Sequence, residues 1–164
     1  FLHIAPEYCF IKLFKNMKNI DYTTGDLISP WADVKMDVHD IPFDENSFDV
    51  VICNHVLEHV EDSQKVMTEF YRVMKPGGWG IFQVPIDNEN PLTIEDKSVI
   101  DPKEREQLYW QSDHLRLFGR DYGNRLAAAG FKVTESDFIN EIDPKLVERY
   151  ALPKNELVYY CEKI

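Results

Sequence analysis

One segment of 42 residues, Asp37 to Gly78, constrains the fold of this chain more than any other. It reads DVHDIPFDENSFDVVICNHVLEHVEDSQKVMTEFYRVMKPGG. Phe48 to Cys53 (FDVVIC) is a short apolar, β-branched run, which suits a strand buried on both faces. The polar cluster Asn54, His55, Glu58 and His59 follows at its C-terminal end, where open α/β sheets bind ligands. A helix is expected from about Ser63 to Met74. Asp62 is its N-cap, and Val66, Phe70 and Val73 or Met74 form its buried stripe. Lys75-Pro76-Gly77-Gly78 ends that helix, and Trp79 to Val84 reads as the next strand.

The rest of the chain continues the same alternation. Phe1 to Ala5 reads as a strand, Tyr8 to Met17 as a helix with Phe10, Phe14 and Met17 on one face, and Ile20 to Gly25 as a second strand. Ala32 to Met36 is a short third strand, and Ser29-Pro30-Trp31 leaves little room for a helix before it. Pro85 to Pro102 is polar and rich in breakers, a long loop of the kind that is functional or mobile. Tyr122 to Ala129 reads as a helix closed by Gly130, followed by a strand over Phe131 to Ser136. Pro144 to Tyr150 is helical in pattern, and Glu156 to Glu162 forms a last strand. Strands alternating with helices imply one α/β domain over residues 1–164, a Rossmann-like doubly wound sheet with right-handed crossovers.

Three pieces of the chain, MDVHDIPFDENSFDVV, NHVLEHVED and YRVMKPGGWGIF, together resemble the class I S-adenosylmethionine-dependent methyltransferases, in the branch that includes quinone-biosynthesis enzymes. Each is weak alone; their order and spacing carry the likeness. It implies a mostly parallel seven-stranded sheet whose last strand inserts antiparallel between the fifth and sixth. It also implies S-adenosylmethionine as the methyl donor. The chain opens directly on an apolar strand without an initiator Met, so the expectation is a domain truncated at its N-terminus.

The first turn sets the cofactor class. A dinucleotide site wants Gly-x-Gly-x-x-Gly after the first strand, so that backbone amides approach a pyrophosphate. The turn here is His3-Ile4-Ala5-Pro6-Glu7-Tyr8, with no glycine. Pro6 removes an N–H donor, and Glu7 sets a carboxylate where a diphosphate would sit. NAD and FAD are therefore disfavoured. S-adenosylmethionine carries no phosphate, and its ammonium and sulfonium are cations that a carboxylate attracts. The turn departs from the family's acidic-x-Gly-x-Gly, with His3, Ala5 and Glu7 in place of the acid and the glycines. Either Glu7 takes over the amino-acid end of the cofactor or it only opens the first helix, favourably to the dipole.

By the same resemblance Asp26, with Leu27 beside it, holds the ribose hydroxyls, and the alternative for Asp26 is a turn or cap acid. Asp37 accepts from the adenine amino group while the Val38 or His39 amide meets a ring nitrogen. Ile41, Pro42 and Phe43 form an apolar wall. Asn54 contacts the amino-acid end. His55 and His114 are the candidate catalytic groups, since a base is needed only when the methylated atom carries a proton that must leave. Arg116, set to one face with His114 and Phe118 in an extended segment, is the candidate substrate contact; pairing with surface acids is its alternative. His55 and His59 lack the His-Glu-x-x-His order, and no metal site is assigned.

A net charge of −11 and no dense basic patch argue against nucleic acid and for a small-molecule acceptor. No apolar run is long enough for a membrane span. Cys9, Cys53 and Cys161 fit neither a disulfide framework nor a metal spacing, which suggests a reducing, cytoplasmic setting. Oligomeric state has no sequence signal. The competing functional class is a degenerate member that keeps the fold as a binding or structural module.

Overall fold

A computed structural model describes residues Phe1–Ile164. Its strands are β1 (Leu2–Ile4), β2 (Thr23–Asp26), β3 (Val34–Lys35), β4 (Phe48–Asn54), β5 (Met74–Gln83), β6 (Lys132–Ser136) and β7 (Val158–Glu162). Its helices are α1 (Tyr8–Lys15), α2 (Ser63–Val73), α3 (Pro102–Tyr109), α4 (Tyr122–Ala128) and α5 (Pro144–Arg149), with a 3₁₀ turn at Phe138–Glu141. The seven strands form one sheet in the order β3-β2-β1-β4-β5-β7-β6. β1 to β5 run parallel, and β7 runs antiparallel to both β5 and β6. This is the expected seven-stranded sheet with its inserted antiparallel strand.

The two faces of the sheet differ. Val51 and Cys53 of β4, Phe82 of β5, and Tyr159 and Cys161 of β7 are buried with Val66, Met67, Phe70 and Val73 of α2. On the opposite face Val50, Ile52, Trp79, Ile81 and Tyr160 are only half-buried. The expectation that β4 is buried on both faces is thus corrected. α1 is the helix on that side, yet it buries none of its residues fully. Phe14 reaches Phe1, His3 and Tyr22, while Phe10 stays exposed.

α2 forms as its sequence directs. Asp62 accepts from the Lys65 amide, and the apolar residues spaced at i, i+4 and i+7 turn onto the sheet. Lys75-Pro76-Gly77-Gly78 does more than stop this helix: it lies inside β5 as a bulge. Phe48 pairs with Met74 and Val50 with Trp79, so two steps along β4 face five along β5. Gly77 has φ +79, and at Gly78 a Cβ would lie 2.8 Å from the Asp49 carbonyl oxygen. α3, inside the stretch beyond the long loop, was not anticipated; Asp101 as N-cap and Pro102 at its first position are the signal that could have found it.

Candidate functional site

β1, β2, β3 and β4 all end at one edge of the sheet, and the polar residues at their C-termini build the site. At the first turn the Ala5 amide donates to the Gly25 carbonyl at 2.9 Å, and Ala5 itself sits at φ +47. That left-handed conformation is natural for the glycine the resemblance expects there, and it costs an alanine about 1 kcal/mol. Glu7 precedes α1 but caps none of its amides. Its carboxylate instead accepts from Asn54 Nδ2 at 2.8 Å and pairs with His3 Nε2 at 2.8 Å. The other ring nitrogen of buried His3 lies 2.8 Å from the Tyr22 hydroxyl.

The protonation of this chain of groups follows from their surroundings. Burial holds His3 below the usual imidazole range, although Glu7 pulls the other way. Burial, Asp33 and Glu7 push Tyr22 up to about 12. The Tyr22 hydroxyl therefore donates to Nδ1 of a neutral His3, whose Nε2 lies against Glu7 Oε2 without a well-aligned hydrogen bond. Burial alone would raise Glu7, but the Asn54 bond and His3 outweigh it and leave the carboxyl below its usual range. The first turn thus holds one negative charge, fixed in direction and 37% exposed.

At the end of β2, Asp26 Oδ1 accepts from the Ile28 and Ser29 amides at 2.8 and 2.7 Å. The turn alternative is therefore realised through Oδ1, and Oδ2 makes no hydrogen bond within the protein. Leu27, Ile28, Trp31 and Tyr8 form an exposed apolar rim around it, with the Tyr8 and Trp31 rings 5.8 Å apart. Beyond β3, Asp37 accepts from both the His39 amide at 2.9 Å and His39 Nδ1 at 2.7 Å, and these bonds hold it below the usual carboxylate range. His39 is thereby withdrawn from any ligand. Its amide is spent on Asp37, and its Nε2 takes the Asp62 amide at 3.3 Å. Val38 is left as the amide at this edge. Ile41 also departs from expectation: it is core, its carbonyl and that of Phe43 held by Arg72, so the wall reduces to Pro42 and Phe43.

A cleft of about 500 Å³ opens beyond β4 and β5, lined by His55, Val84, Ile86, Trp110, Leu157 and Tyr159 among others. His55 stands in it at φ +55, its side chain 61% exposed and its amide tied to the Gln83 carbonyl at 2.8 Å. Trp110, at φ +73 just past α3, exposes its indole to the same cleft. Sequence reasoning missed it, because no periodicity marks a lone aromatic after an unread helix.

The segment Ser112 to Tyr122 is placed differently from expectation. Arg116 is buried, donating through Nη1 to the Leu57 and Val60 carbonyls at 2.6 Å each, and through Nη2 to the Glu61 carbonyl at 3.1 Å and Glu95 at 2.9 Å. Its Nη donors are committed to the β4–α2 loop and Glu95, its Nε is buried without a partner, and it does not line the cleft beside His55. His114 is buried as well, its Nδ1 against the Tyr109 carbonyl at 2.8 Å, and it does not line the cleft. Glu58, read only as one of the polar cluster after the strand, is buried beneath His55, with 3.3 Å between Oε1 and His55 Nδ1.

Comparison with known proteins agrees with this fold. The methyltransferase-domain family matches residues 10–82. A ubiquinone/menaquinone biosynthesis C-methyltransferase of Desulfotalea psychrophila is 43% identical over 42 residues, 26% of this chain and 17% of that protein. The sterol 24-C-methyltransferase of Schizosaccharomyces pombe is 30% identical over 125 residues, 73% of this chain and 31% of that protein. The chain thus spans less than a third of the length of either relative. Among solved structures, geranyl diphosphate C-methyltransferase from Streptomyces coelicolor, in complex with Mg²⁺, geranyl diphosphate and S-adenosylhomocysteine, superposes with a TM-score of 0.65 at 12% identity, covering 99% of this chain and 70% of its own. Phosphoethanolamine N-methyltransferase 2 of Haemonchus contortus, in complex with S-adenosylmethionine, gives 0.61 at 16%, covering 99% and 48%. With its 3-2-1-4-5-7-6 sheet and this family match over residues 10–82, the chain matches the class I S-adenosylmethionine-dependent methyltransferases in fold and in domain family.

Proposed function

We propose that this chain is the catalytic domain of a methyltransferase that takes S-adenosylmethionine as donor and a small molecule as acceptor. The observation that carries this reading is the Glu7 carboxylate, held charged by Asn54 and His3 at a turn whose Pro6 and missing glycines repel a diphosphate. Such a turn suits a cationic ligand end. Asp26 Oδ2 suits a ribose diol, and Asp37 with the Val38 amide suits an adenine edge.

S-adenosylmethionine supplies an electrophilic methyl whose positive charge disperses during transfer, so positioning provides much of the catalysis. The residues of this chain bind and orient. Glu7 and Asn54 fix the amino-acid end, Asp26 the sugar, and the cleft beside His55 receives the acceptor. Where the acceptor atom carries a proton, His55 is placed to take it, since its ring is exposed to the cleft with the Glu58 carboxylate behind it. The modest size of the cleft and the acidic chain support a small acceptor over a nucleic acid.

Calorimetry with S-adenosylhomocysteine tests the proposal. Binding in the micromolar range is expected, and Asp26→Ala should weaken it about tenfold or more, ~1.4 kcal/mol. A folded chain that gives no heat with either the methylated or the demethylated cofactor would overturn it.

A further inference from the structure

We propose a divalent metal site formed by Glu58, His59 and His114, built into the loop between β4 and α2 and independent of the methyl-donor reading. One ligand atom from each of these residues lies within 4.8 Å of the others. A tetrahedral ion with ligands at about 2.0–2.2 Å holds its donors about 3.4 Å apart, so modest side-chain rotations close the set. The residues differ from the His55 and His59 pair that spacing in sequence brings to mind: His114 comes from a segment more than fifty positions away.

Each side chain is prepared for the role. His114 is 4% exposed and its Nδ1 is engaged with the Tyr109 carbonyl, which fixes the tautomer with Nδ1 as donor and leaves Nε2 basic and free. His59 meets it edge to face, the ring centroids 4.7 Å apart, and its own Nδ1 lies 3.4 Å from Asp113. Glu58 is the decisive observation. It is 1% exposed, Oε2 has no hydrogen-bond partner, and Oε1 has only His55 Nδ1 at 3.3 Å. A carboxylate buried in this way is costly unless a cation meets it. Arg116 does not meet it: its Nη groups bond the loop carbonyls and Glu95, and its ion pair is with Glu95. Two imidazoles and a carboxylate select Zn²⁺ or a neighbouring first-row dication over Mg²⁺ or Ca²⁺. His59, 31% exposed, gives the ion a way in and leaves a coordination position for water. Through Glu58 the ion would sit directly behind His55 and the cleft.

The test is titration of the chelator-stripped chain with Co²⁺ and Zn²⁺, read by calorimetry and by the visible d–d absorption of Co²⁺. One equivalent is expected, with the intense bands of a four- or five-coordinate ion and little response to Mg²⁺. His59→Ala, at a partly exposed position, should weaken Zn²⁺ by roughly tenfold or more while leaving the melting temperature of the metal-free chain unchanged. Glu58→Gln should also abolish tight binding, and should raise the melting temperature of the metal-free chain by removing an unpaired buried charge. Absence of Co²⁺ bands, or binding equally tight in both variants, would overturn the site.

Discussion

Glu7 and Arg116 are both charged residues that the sequence nominates for a ligand, and they end in opposite circumstances. Glu7 is part-exposed and is oriented by Asn54 and His3, with a single hydrogen bond to its carboxylate. Arg116 is buried, with four bonds to Leu57, Val60, Glu61 and Glu95. Charge and position along the chain do not separate them. What separates them is how far their hydrogen-bonding capacity is already filled from within the protein.

Substitution at Arg116 is the largest expected effect. Arg116→Met strands three loop carbonyls and the Glu95 carboxylate, and should cost about 3–5 kcal/mol of stability in denaturant melts. Cofactor affinity of the surviving folded fraction should be unchanged. A stable variant with a raised acceptor KM would break the comparison by placing Arg116 at the substrate after all. Next comes Glu7→Gln, which removes the charge; its one carbonyl oxygen keeps the Asn54 bond, and His3 takes the other tautomer to face the new amide. It should weaken S-adenosylhomocysteine about tenfold by calorimetry with little change in melting temperature. Because Glu7 is held below the usual carboxylate range and His3 below the usual imidazole range, wild-type affinity should be flat through neutrality. It should be lost only as pH falls far enough to protonate Glu7, and an inflection near neutrality would contradict the proton arrangement. The smallest effect is Ala5→Gly, which relieves the φ of +47 but frees the unfolded chain. The two nearly offset, leaving a gain of a few tenths of a kcal/mol, measurable in a thermal melt.

The same contrast explains what was legible in the sequence. β4, α2 and β7 were readable because periodicity and caps are local, as Asp62 shows by capping α2 through the Lys65 amide. The strand order was readable only through resemblance. The acidic first turn was visible, but its partners were not, since Asn54 reaches Glu7 from β4 and His3 is itself held by Tyr22. His39, Ile41, His114 and Arg116 were misplaced for one reason: each satisfies a backbone group or fills core contributed by a distant element, and no spacing rule reports that. Glu58 carried no signal of its burial: in sequence it is one more member of a polar cluster, and the loop folds it inward.

The antiparallel insertion of β7 has a consequence for the order in which the molecule assembles. β7 fills the slot between β5 and β6, and Lys163 just beyond it exchanges bonds with Gly77 and Gly78 and reaches Asn46 and the Tyr71 carbonyl. Until residues 158–162 arrive, β5 carries an unpaired edge and β6 has no neighbour at all. The sheet is therefore closed by its latest-synthesised strand, through contacts of very large sequence separation. Slow final docking, with an aggregation-exposed β5 edge during the wait, is built into the topology.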